Sequence, residues 1–133
     1  MRASEVMIAD PVVAAAGATS SEVAALMRVK NISVVPVVDN PKDRRYLGTI
    51  SDRDIVARCL GAGHDPTDCS AADHVRTDTP VVKPETDLQG FKISKQLDAT
   101  DHHVRSTIVV VNTDKRVVGF IPHPEEVQGI VVR

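Results

Sequence analysis

A duplication constrains this chain more than any other feature. Pro11-Val12-Val13 returns as Pro80-Val81-Val82, and each copy follows a short helix-prone segment, Ser4-Glu5-Val6-Met7 or Ala72-Asp73-His74-Val75. Self-similarity of this kind makes each copy one supersecondary unit, here spanning 1–67 and 68–133. In a 133-residue chain with 2% aromatic residues and no Trp, neither half can bury enough apolar surface to stand alone. The two are therefore expected to share an interface. Their core has to come from Val, Ile, Leu and Ala, and the β-branched members of that set favour strands.

Within each copy the pattern of elements repeats. Thr19-Ser20-Ser21-Glu22 and Thr86-Asp87-Leu88-Gln89 are capping-box signatures, which predict a helix start in both halves. After the first, Val23, Leu26, Met27 and Val29 supply helical spacings that give one apolar face to pack on a sheet. After the second, Leu88, Phe91, Ile93 and Leu97 do so less regularly. Val-rich strands are predicted over 32–38 and 104–111, followed across polar turns by strands over 46–50 and 116–121. The Gly- and Pro-containing stretch 61–70 reads as a helix stop and linker. Each half is thus strand, helix, strand, strand, helix, an α/β (α+β) arrangement. The apolar tail Ile130-Val131-Val132 is expected to cover a strand edge.

The segment with most chemistry is Gly48-Thr49-Ile50-Ser51-Asp52-Arg53-Asp54. Glycine permits close approach of another backbone or a ligand, Ser51 is a preferred N-cap residue, and Asp54 falls in the first turn, where a carboxylate is favoured. Backbone N–H groups at such a helix start attract phosphate. The Asp54 carboxylate can accept hydrogen bonds from sugar hydroxyls, and Arg53 can pair with an anionic group.

Other readings are weaker. A net charge of −2 and a pI near 6.2 leave no basic stripe for nucleic acid. No apolar run reaches the roughly 18 residues of a membrane span, and Met1 to Met7 lacks the apolar stretch of a signal peptide, so a cytoplasmic protein is expected. Cys59 and Cys69 make no disulfide framework and are read as reduced thiols. Cys59, spaced four from Ile55 and three from Val56, reads as core filler. With no nucleophile–base set and no phosphate loop, the chain reads as a non-enzyme that requires no cofactor. His64-x4-Cys69-x4-His74, interleaved with Asp65, Asp68 and Asp73, offers nitrogen and sulfur donors but matches no compact zinc spacing. No metal is assigned, and the acidic residues read as a solvated linker.

The order Val-Met, Pro-Val-Val, capping box, helix, Ile32-Ser33-Val34-Val35-Pro36-Val37-Val38-Asp39 and Gly48 to Ile55 resembles a cystathionine-beta-synthase (CBS) domain. The two copies together resemble a CBS pair, or Bateman module, like the small stand-alone CBS-pair proteins of bacteria. The resemblance implies two motifs packed sheet to sheet with pseudo-twofold symmetry and clefts for adenosine compounds: AMP, ADP, ATP, NAD or S-adenosylmethionine. It places Ser51 and Asp54 at phosphate and ribose, and Ile32, Val34 and Pro36 around adenine. Ile50, Arg53 and Arg105 complete the candidate nucleotide contacts. It also implies a regulatory module that transmits ligand binding as a conformational change to an unidentified regulated protein. A homodimer formed through apolar helix faces that include Ile55, Val56, Cys59 and Leu60 is expected. The alternative is a partner-binding dimerisation module with no nucleotide. The second copy departs from the pattern: Pro122 and Glu125 stand for Ser51 and Asp54, and Ile108 stands for Pro36, so unequal sites are expected.

Overall fold

The computed structural model describes residues 1–93, 107–122, 124 and 131–132. They form two compact units, Val12–Asp78 in one case and Met1–Pro11 with Thr79–Arg133 in the other. The segment that leads each sequence repeat therefore packs in the same unit as the other repeat's sheet.

In the unit Val12–Asp78, strands β2 (Ala14–Ala15), β3 (Val34–Val38) and β4 (Tyr46–Ser51) form a sheet in the order β2-β3-β4, parallel then antiparallel. Helix α2 (Ser20–Lys30) starts at the predicted capping box: Thr19 Oγ1 accepts from Glu22 N at 3.0 Å while Thr19 N donates to the Glu22 carboxylate at 3.2 Å. It ends at Asn31 in the left-handed conformation. Val23 and Met27 on its inner face join Val35, Val37, Ile50 and Ile55 in the core. Pro36 sits in the middle strand, an unusual place for a residue without an N–H. Its partner Thr49 exchanges both of its backbone hydrogen bonds with Arg76, so the Pro36–Thr49 pair is a non-hydrogen-bonded one. On the other side, the two-residue β2 pairs only with Val37 and Val38. No bond between β3 and β4 is lost.

In the other unit, α1 (Ala3–Val6) and β1 (Ile8–Ala9) lead into a sheet of order β1-β8-β7-β5, with β5 Val81–Val82, β7 Ile108–Val111 and β8 Val117–Ile121. Ala3, Val82, Leu88, Ile108, Val110 and Ile121 form its core. The predicted helix start at Thr86 is corrected: residues 86–93 form turns that lead into β6 (Lys92–Ile93). The N-terminal segment occupies the first carbonyl that a helix would need, since Ala3 N donates to Thr86 O, and it also binds the next turn, where Leu88 N donates to Met1 O. Gly90 then adopts φ +75°, which a helix cannot accommodate. The apolar tail does find a strand partner, β9 (Val131–Val132) pairing parallel with β6. Leu97, residues 100–106 and Glu125 lie outside the described residues.

The structural counterpart of Pro36 is also corrected. Val37 pairs with Gly48 and Val110 with Gly119, so Val109, not Ile108, occupies the position of Pro36. Val109 uses the N–H that Pro36 lacks to bond Pro80 O at 3.0 Å.

Candidate functional site

Strand β4 ends at Ser51, where the chain turns into α3 (Asp52–Asp54) and continues as π-helical turns over Ile55–Leu60. Ser51 Oγ accepts from Asp54 N at 3.1 Å and donates to Asp54 Oδ2 at 2.8 Å, and Ser51 N donates to the same oxygen at 2.9 Å. The other carboxylate oxygen, Oδ1, accepts from Arg76 Nε at 2.7 Å, with Arg58 Nε at 3.8 Å. Asp54 is 1% exposed and Ser51 6%. A buried carboxylate is tolerable only when paired and hydrogen-bonded, and Asp54 satisfies both conditions.

Gly48 explains how Arg76 reaches this place. Thr49 and Arg76 exchange backbone hydrogen bonds at 2.9 and 2.8 Å, and a Cβ on Gly48 would stand 2.5 Å from the Arg76 carbonyl oxygen. The glycine expected to admit a backbone or a ligand admits a backbone here. Arg76 was missed by the sequence reading because nothing local marks it; its role comes from pairing 22 positions away from Asp54.

The remaining candidates are distributed around the same strand ends. Val34 lies directly opposite Ser51 in the β3–β4 register, and Asp52 N donates to Ser33 O at 2.9 Å. Pro36 and Ile50 are buried, Ile32 and Val34 half-buried, with Ile32 packed against the core cluster. Arg53 is half-buried. Arg105 lies outside the described residues. Of the helix face expected to form a dimer contact, Ile55 and Cys59 point into the core, whereas Val56 and Leu60 are 59% and 51% exposed. No helix among the described residues is long and apolar enough to cross a membrane.

A second constellation lies beyond the π-helical turns. Cys59, Cys69 and His74 are all buried, and their ligand atoms lie within 4.8 Å of one another. The His64 ring is 6.0 Å from that of His74, centroid to centroid. Burial, then the neighbouring Cys59 thiol, pushes the Cys69 thiol up to about 11. The spacing 64, 69, 74 did not reveal the group, because Cys59 completes it from the preceding helix.

Residues 3–61 match the CBS domain model. No curated protein matches the chain. Among solved structures it is similar to Hypoxic Response Protein I with two coordinated zinc ions (27% identity, 92% of each chain, TM-score 0.71). It is similar to a CBS domain protein of Pyrobaculum aerophilum complexed with AMP (25% identity, 92% of this chain and 87% of that one, TM-score 0.68). A CBS domain-containing protein of unknown function from Bacillus anthracis shares the fold (21% identity, 92% and 86%, TM-score 0.70).

Proposed function

We propose, on the premise that this chain is a CBS-domain protein, that it is a regulatory module binding an adenosine-containing nucleotide at the helix start formed by Ser51 and Asp54. One observation carries the reading: a hydroxyl and a carboxylate of the matched segment converge with the Arg76 guanidinium at the end of a sheet. The AMP complex of the Pyrobaculum aerophilum protein supports it. AMP, ADP, ATP, NAD and S-adenosylmethionine share the ribose and adenine that this chemistry suits. Ile32, Val34 and Pro36 supply apolar surface for the purine and Arg53 supplies charge for phosphate, whereas Ile50 lies in the core on the opposite strand face and is no ligand contact.

In this reading the ligand competes with a bond already in place. Ribose hydroxyls would take Asp54 Oδ1 from Arg76, and the released guanidinium would turn to the ligand's phosphate. Because Arg76 is paired through its backbone to Thr49, its release would alter how the segment after His74 is held. Binding would thereby shift the population between two arrangements that a regulated protein can distinguish. Such a module is a sensor, not an enzyme.

The test is the thermal midpoint of the full chain with each of the five nucleotides. A ligand that binds only the folded chain stabilises it by about 2.7 kcal/mol at one hundred times its Kd. At least one midpoint should rise, and Arg53→Ala should shrink the rise. Five flat titrations at millimolar ligand would favour the second reading, a dimerisation module without nucleotide. That reading draws on the exposed Val56 and Leu60, a small apolar surface suited to an isologous contact, and Leu60→Asp should then convert a dimer to a monomer in sedimentation.

A further inference from the structure

We propose that Cys59, Cys69 and His74, with His64 closing the fourth position, form a binding site for a zinc-class divalent cation. The three buried groups come from different stretches of chain. Cys59 sits in the π-helical turns, Cys69 in the loop that follows, and His74 in the short 3-10 helix Ala71–His74. Their donor atoms are nonetheless held within 4.8 Å of one another.

The polar bookkeeping around them is incomplete without a ligand. His74 Nε2 is buried and meets no hydrogen-bond partner among the described residues, a state that native interiors avoid because such an atom costs about 1–3 kcal/mol. Cys59 Sγ makes a long contact, 3.9 Å, to the His64 carbonyl and neighbours the Cys69 thiol. Thiolate sulfur and imidazole nitrogen are the donors that select Zn(II) over the hard, oxygen-seeking cations. In a tetrahedral zinc site the donors stand about 3.5–3.8 Å apart, so a contraction of about 1 Å in side-chain positions completes the geometry. His64 is exposed on the loop, its ring centroid 6.0 Å from that of His74. A set of four protein ligands leaves no open position for catalysis and makes the site structural.

The cation would tie the helix that begins at Ser51 to the segment that ends in Arg76. Two partners of the Asp54 carboxylate, Ser51 and the Arg76 guanidinium, would then be anchored by one cross-link. The site does not depend on nucleotide binding.

The experiment uses the full chain, reduced, stripped with chelator and shown to carry two free thiols. Added zinc should bind at one equivalent and raise the thermal midpoint, and cobalt in its place should give thiolate-to-metal charge-transfer absorption. Cys69→Ser and His74→Ala should lose affinity by more than the roughly 10–100-fold that removing an outer-shell partner costs. His64→Ala, an exposed change that leaves the core intact, should weaken zinc yet keep the cobalt–thiolate bands. The proposal is overturned if the reduced chain binds no zinc, if cobalt binds without thiolate absorption, if His64→Ala and Cys69→Ser bind as the parent does, or if the two thiols are found joined in a disulfide that reductant does not open.

Discussion

The two antiparallel hairpins, β3–β4 and β7–β8, begin from nearly the same design and end differently. Each pairs a valine with a glycine, Val37 with Gly48 and Val110 with Gly119, and each shifts register at the next residue. At the far end the first hairpin runs into Ser51, whose N–H and hydroxyl both bond the Asp54 carboxylate. The second runs into Pro122, which has neither group. The two glycines also admit different neighbours, the Arg76 backbone against Gly48 and the Met7 side chain against Gly119. Duplicated strands thus keep their pairing while the groups at their ends diverge. Pairing is fixed by backbone geometry and β-branched packing, whereas a polar cluster is lost as soon as one donor is replaced.

The sharpest way to break the contrast is Asp54→Ala. It breaks the ion pair with Arg76 and removes the carboxylate that Ser51 N and Oγ bond, and a urea unfolding curve should show a loss of about 3–5 kcal/mol. A loss below about 1 kcal/mol would mean that the buried carboxylate holds little. Next is the pair of glycines. Gly48→Ala drives a methyl group into backbone and should cost about 2–3 kcal/mol, whereas Gly119→Ala meets a flexible methionine and should cost about half of that. Equal costs in the same unfolding assay would erase the distinction.

A smaller effect separates the two capping-box sequences. Thr19→Ala should cost about 1 kcal/mol because it uncaps α2. Thr86→Ala removes only an exposed turn bond to Lys83 N, and should shift the urea midpoint by less than half as much. The least effect is on pH dependence. Hydrogen bonds from the Gln89 backbone and the Met1 ammonium hold the Asp87 carboxyl below its ordinary 3.8, and Thr67 does the same for Asp65. A depressed folded-state value contributes stability above the unfolded one and loses it as pH falls through the folded one. Stability should therefore drop as pH falls below about 3.8, and Asp65→Asn and Asp87→Asn should each flatten that fall slightly. An unchanged slope in both variants would remove these turns from the account.

Much of the fold was legible because it is written in local pattern. The Thr19–Glu22 capping box, the spacing of Val23 and Met27, and the valine runs each act within a few residues, and each formed as expected. Thr86–Gln89 carries the same signature and failed, since the backbone of Met1 and Ala3 took the hydrogen bonds first. Ser51 and Asp54 were readable as a cap. Arg76 was not, nor was the gathering of Cys59 with Cys69 and His74, because neither leaves a mark at short range.

The amino-acid order by itself settled that the chain is duplicated, that valine-rich hairpins form its frame, and that a capped helix starts at Ser51. These follow from side-chain shape and hydrogen bonding between near neighbours. Tertiary structure decided which distant backbone lies against Gly48, which cation faces Asp54, and which donors gather around His74. Those outcomes depend on how strands far apart in sequence pair, and the energy of that pairing belongs to the folded chain as a whole.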